Sequence, residues 1–208
     1  MNLIVNGEGD TLVLFAHGAG AGMDSEFMQE FAENLAKRNC RVIRFNFAYM
    51  QANKDDGKKR PPERMPRLLS HFETVLKQVI EEHQPKRVFL MGKSMGGRVA
   101  AILSEALEIP VLGIICVGYP FIPIKGGNPR LEPLQGASHP VCIIQGERDR
   151  FGNRQQVAEW DLPENVEVQW VNDGDHSLQP RKMSGYTWEQ NLKQAIDYCE
   201  QFIGEIHA

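Results

Sequence analysis

The segment Gly92-Lys93-Ser94-Met95-Gly96-Gly97 joins an apolar run, Arg87–Met91, to an alanine-rich stretch with helical character, Met95–Leu107. A Gly-x-Ser-x-Gly sequence between strand and helix puts the serine on a sharp, strained turn, where glycines leave room for backbones that pass too close for a Cβ. The helix beginning there aims its free N–H groups and its positive dipole end at the hydroxyl. These features suit Ser94 to nucleophilic attack. Gly92-Lys93-Ser94 also matches the tail of a phosphate-binding loop. That motif needs another glycine five residues before Gly92, where Arg87 stands, and Val88–Met91 reads as strand, which sets nucleotide binding aside.

A serine hydroxyl needs a base, and the base needs an acid to orient it. Asp149, in Gly146-Glu147-Arg148-Asp149, follows the apolar run Val141–Gln145. His176, in Asp173-Gly174-Asp175-His176-Ser177, follows Val166–Val171. Each emerges just after a strand, on the same sheet edge as Ser94. Glu147 is the rival acid, and His17 and His139 are rival bases. His139 precedes a strand, at the opposite edge, and His17 comes before Ser94 in the chain. His71, His83 and His207 read as surface residues.

These positions need a scaffold. Apolar runs at 11–16, 40–47, 87–91, 111–117, 141–145 and 166–171 alternate with amphipathic stretches at 25–38, 66–83, 95–107 and 187–203. A shorter helical stretch covers 154–160, and 1–5 adds a short edge strand. The alternation predicts an α/β fold, a mostly parallel sheet of six to seven strands with helices on both faces. Three segments read as loops: 48–62, polar and basic with Lys54, Lys58, Lys59 and Arg60; 119–139, rich in Pro and Gly; and 172–186. All follow strands, so they gather at the carboxyl edge, where open α/β sheets bind ligands.

With 208 residues, 42% of them hydrophobic, the chain forms one domain over residues 1–208. The formal net charge of −4 is too mild to attract nucleic acid or a membrane surface. No run is long and apolar enough for a membrane span, and the first ten residues lack a secretory pattern. Cys40, Cys116, Cys142 and Cys199 show no zinc-ligand spacing and read as reduced core thiols. The expectation is a cytoplasmic protein with no metal and no cofactor.

The segments His17-Gly-Ala-Gly, Gly92-Lys-Ser-Met-Gly-Gly, Gly146-Glu-Arg-Asp and Gly174-Asp-His-Ser-Leu resemble those of the α/β-hydrolase superfamily. The order Ser94, Asp149, His176 is that family's order. More narrowly, the chain is similar to small lidless, dienelactone-hydrolase-like enzymes. Within them it looks like a bacterial group related to a non-specific-lethal complex subunit and a testis-expressed protein. Dienelactone hydrolase itself carries a cysteine nucleophile where Ser94 stands here. The resemblance implies an oxyanion hole built from the backbone N–H groups of Met95 and Ala19, with Gly20 as rival to Ala19. It also implies no cap domain, since only 118–140 separate the relevant strands. Tyr49, Tyr119 and Phe121, with Ile122 and Met95, would wall a shallow pocket, although they would serve equally as packing. Lys93 would bring positive charge to the site and favour acidic substrates.

The implied activity is hydrolysis of an ester, thioester or related acyl bond of a small molecule by an acyl-enzyme route. The alternative is a binding module that keeps the fold without turnover. The 54–60 basic segment could add an interaction surface to either.

Overall fold

Thr11–Ala16, Gly113–Val117 and Val141–Gly146 are buried at every position, which strands achieve only when both faces of their sheet are covered. The computed structural model describes residues 2–206; Met1, His207 and Ala208 lie outside them. Seven strands form one sheet: β1 (Leu3–Asn6), β2 (Thr11–Ala16), β3 (Cys40–Phe45), β4 (Arg87–Lys93), β5 (Gly113–Val117), β6 (Val141–Gly146) and β7 (Val166–Val171). Their order is β1-β3-β2-β4-β5-β6-β7, and only β1 runs antiparallel to its neighbour.

Alternate side chains serve alternate layers. Leu12, Leu14, Leu90, Ile114 and Ile143 pack under α3 (Met65–His83) and α4 (Met95–Ser104). Val13, Phe15, Met91, Ile115 and Ile144 pack under α1 (Glu26–Ala36) and α7 (Trp188–Glu205). Helix α3 turns its Leu68, Phe72, Val75, Leu76 and Val79 inward. The chain leaves β2 to build β3 on one side, then returns to build β4 on the other. The carboxyl ends of β2 and β4 therefore flank a crevice at the switch in strand order.

Two loop expectations need correction. The first part of 48–62 is a helix, α2 (Ala48–Asp56), ended by Gly57 at φ 70°. Only Tyr49 and Met50 are buried in it, too sparse an apolar pattern to reveal a helical period. In its basic run Lys54 pairs with Asp24, and Arg60 with Asp56 at 2.5 Å. Within 119–139 a single turn, α5 (Glu132–Gln135), forms on Leu131. No cap domain interrupts the described residues. The remaining short helix is α6 (Arg154–Val157), closed by a capping box between Asn153 and Gln156. No helix among the described residues is long and apolar enough to cross a membrane.

Candidate active site

Ser94 stands between β4 and α4 at φ 52°, ψ −114°, a conformation that costs a non-glycine residue roughly 1–3 kcal/mol. The surroundings enforce it. The Ser94 N–H donates to Val117 O at 2.9 Å, and its carbonyl accepts from the Arg98 N–H at 3.2 Å. A Cβ on Gly92 would lie 2.0 Å from the Gly96 carbonyl carbon, and one on Gly96 would lie 2.5 Å from Ala16 O. Both obstacles are backbone, which cannot yield as a flexible side chain does. Gly96→Ala is therefore expected to destabilise the fold by about 3 kcal/mol. For a chain of this size that lowers the thermal midpoint by roughly 6–12 °C. A calorimetric scan within about 2 °C of wild type would mean the turn tolerates a side chain.

Three side chains from three strand ends meet at this turn. His176 Nε2 lies 2.8 Å from Ser94 Oγ, and His176 Nδ1 lies 2.7 Å from Asp149 Oδ2. An ionised carboxylate can only accept, so Nδ1 carries the proton and Nε2 is left to accept from the hydroxyl. Asp149 is wholly buried. Its Oδ1 accepts from the Phe151 N–H at 2.8 Å, and Oδ2 also accepts from Gln145 Nε2 at 3.1 Å. The arrangement can move the Ser94 proton onto a neutral imidazole whose tautomer the carboxylate sets.

Burial is the largest influence on His176 and pushes its pKa below 6.5; the bond to Asp149 opposes this, and the Lys93 charge adds to the lowering. The Phe151 ring stands edge-on to the imidazole, 4.5 Å between centroids. A Cβ on Gly146 would lie 2.3 Å from Asp175 O, so glycine there lets the Asp149 and His176 loops touch. Arg148 joins them through the Asp173 carbonyl at 3.0 Å. From α7, the buried Asn191 amide donates to Asn172 O and Leu178 O, bracing the His176 loop.

The rivals are otherwise engaged. Glu147 accepts from the Asp173 N–H at 2.9 Å through one oxygen and pairs with Arg154 through the other. His139 sits before β6 against Ser138. His71 stacks on Phe45, and His83 ends α3. His17 has both ring nitrogens bonded to backbone: Nε2 accepts from the Phe47 N–H at 3.1 Å, so Nδ1 donates to Gly18 O at 2.6 Å. Burial drives its pKa down to about 4, so it is a neutral strut at physiological pH.

That strut supports the turn carrying Ala19. Gly18 lies against the elbow, where a Cβ would be 3.4 Å from Lys93 O and 3.6 Å from Ser94 Cβ. Met95 opens α4, so its N–H has no intrahelical acceptor. Ala19 and Gly20 are exposed at the rim of the turn.

The expected pocket walls need correction. Tyr119 and Phe121 are fully buried; Phe121 packs on Trp160, and Tyr119 OH donates to Arg130 O. Neither offers surface to a ligand, because both turn inward beneath the loop after β5 and join the core. Tyr49 is buried too, and its hydroxyl donates to Ala19 O at 3.0 Å. It braces the turn from α2 and does not line a cavity. Ile122 and Met95 remain partly exposed. Lys93 is also displaced from its expected place: its ammonium donates to His176 O behind the imidazole, so it offers no charge to a substrate.

Gln145 and Phe151 were not legible as site residues. The available signal was an amide ending an otherwise apolar strand, four residues before Asp149.

A family model described as an alpha/beta hydrolase domain matches residues 9–204. No curated protein matches the sequence. Among solved structures, an alpha-beta serine hydrolase homologue from Coxiella burnetii is similar at 16% identity and a TM-score of 0.72, covering 97% of this chain and 90% of that one. A serine hydrolase without a lid from Xanthomonas campestris matches at 16% identity and 0.71, covering 96% and 88%. Dienelactone hydrolase from Anabaena variabilis matches at 17% identity and 0.73, covering 99% and 91%. At such identities the likeness is one of fold. The family model spans nearly the whole sequence, and the chain belongs to the α/β-hydrolase family.

Proposed function

We propose that the chain is a serine hydrolase that cleaves an ester, thioester or related acyl bond of a small molecule through an acyl-enzyme. The observation that carries this reading is the unbroken hydrogen-bonded line from Ser94 through His176 to Asp149, set on a turn held at φ 52°. Non-glycine residues held in such sparsely populated backbone regions cluster at active sites. Membership of the α/β-hydrolase family supports hydrolysis as the reaction class.

Ser94 Oγ bonds to the acyl carbon as its proton passes to His176 Nε2. The carbonyl pair moves to oxygen, facing the N–H groups of Met95 and Ala19, each such donor contributing about 3 kcal/mol to lowering the barrier. Collapse breaks the bond to the leaving alcohol or thiol, which takes the proton from Nε2. Water then attacks the acyl carbon and gives a proton to Nε2; the second intermediate collapses, its bond to Oγ breaks, Oγ takes that proton back from Nε2, and the acid leaves with Ser94 restored. A cleft of about 560 Å³, lined by Phe27, Ser177, Arg181, Lys182, Tyr186 and Trp188, borders the His176 loop and offers room for one arm of the substrate.

The test is reaction with a fluorophosphonate probe, followed by peptide mass analysis, together with the pH profile for an activated short-chain ester. The probe is expected on Ser94. Because His176 must be neutral to accept a proton and burial lowers its pKa, kcat/KM is expected to rise with pH along an acid limb centred below 6.5. No labelling and no turnover would leave the fold as a binding module. A limb centred above 6.5 would mean that the bond to Asp149 outweighs burial at His176.

A further inference from the structure

Lys93 neighbours Ser94 in the elbow, yet its side chain is buried beneath the His176 loop. Its ammonium donates to the backbone carbonyl of His176. The opening it occupies is small. Gly118, at φ 65°, has a virtual Cβ position 2.8 Å from Lys93 Nζ, 3.0 Å from His176 O and 3.2 Å from His176 Nδ1, so the three atoms crowd one site that only glycine vacates. From α1, the Phe27 ring faces the ammonium at 5.4 Å from its centroid. Among the described residues Lys93 is the one buried lysine.

The charges around this spot balance. Asp149 on the β6 turn and Asp175 on the β7 turn act on Lys93, while Lys93, Asp149 and Arg150 act on His176. A buried carboxylate with no nearby cation is costly, and Asp149 is wholly buried. Burial pulls Lys93 down to about 8, which leaves it charged at neutral pH. Asp149 favours a proton on His176 and Lys93 opposes it. Without the ammonium, only the Arg150 charge would remain to oppose the carboxylate at the imidazole.

We propose that Lys93 is a positioning residue for proton transfer at Ser94: its ammonium clamps the His176 carbonyl and, as counter-charge to Asp149, keeps the imidazole seated and unprotonated at neutral pH. This rests on the reading of Ser94 and His176 as nucleophile and base. Lys93 touches no substrate, so its loss acts through His176.

The experiment compares K93M, K93Q and K93R with wild type on an activated ester. In K93M, kcat at pH 7 falls about 10- to 100-fold while KM stays within about twofold. The acid limb of kcat/KM moves up by about one pH unit. K93Q keeps a donor for the carbonyl but loses the charge, so its limb moves equally with a smaller loss of kcat; it also decides the matter if K93M does not fold. K93R keeps the charge and holds the wild-type limb. A folded K93M or K93Q whose limb stays in place overturns the proposal, whether or not kcat falls. Fluorophosphonate labelling of wild type separates the two readings. A labelled wild type with an unmoved limb in the variants overturns the role of Lys93 alone, and an unlabelled wild type overturns both.

Discussion

Ser94→Ala is expected to lower kcat for an activated ester by about 10⁴- to 10⁶-fold and to abolish fluorophosphonate labelling. The size follows from what one oxygen supplies. It is the atom that bonds to the acyl carbon, and without it the imidazole can only assist water, leaving the oxyanion donors as the main residual catalysis. Structure should survive, because the turn is enforced by Gly92, Gly96 and the bond from the Ser94 N–H to Val117 O, none of which uses the hydroxyl. The thermal midpoint should therefore stay within about 2 °C of wild type. Turnover within tenfold of wild type in a folded variant would remove Ser94 as nucleophile.

The second large effect is at Asp149. Replacing it with asparagine keeps the volume but offers an amide N–H toward His176 Nδ1, which then must accept. The proton moves to Nε2, where it faces the Ser94 hydroxyl and cannot receive another. This tautomer change costs about 10⁴-fold in kcat in triad enzymes, and the same order is expected here. Glu147→Gln is the matched control, since Glu147 bonds Asp173 and Arg154 rather than the imidazole; its kcat should fall less than about tenfold. The reverse ranking in steady-state assays would transfer the orienting role to Glu147.

Much of this was legible because two patterns are local. Strand runs such as Leu12–Phe15 and Ile114–Val117 are apolar without interruption, as doubly covered strands must be, and helices such as Met65–His83 repeat at helical spacing. The elbow glycines are equally local, since only close backbone passage calls for them at that spacing. The chain order of Ser94, Asp149 and His176 follows from which strand each one ends.

Other features had no local pattern to announce them. Helix α2 carries two buried side chains in a polar segment, so nothing in its composition exceeds that of a loop. Tyr119 and Phe121 have the same residue types whether they wall a pocket or fill a core. Their complete burial is decided by Trp160, Arg130 and the loop after β5. His17 was readable as belonging to the Ala19 turn, but its task as a strut depends on Phe47, thirty positions away.

What the sequence determined by itself was the alternating α/β architecture, the strained serine turn and the set of strand ends that could bring an acid and a base to it. These rest on period and on glycine sterics, which act between residues close in the chain. The tertiary structure alone set Asp149 rather than Glu147 against the imidazole, turned Tyr49, Tyr119 and Phe121 inward, and sent the Lys93 ammonium to the His176 carbonyl. Those outcomes depend on direction and distance between loops separated by up to eighty-three residues. A side chain's neighbours across such a separation are set by how the sheet is assembled, and Lys93 meets its partners only after β4, β6 and β7 lie in one sheet.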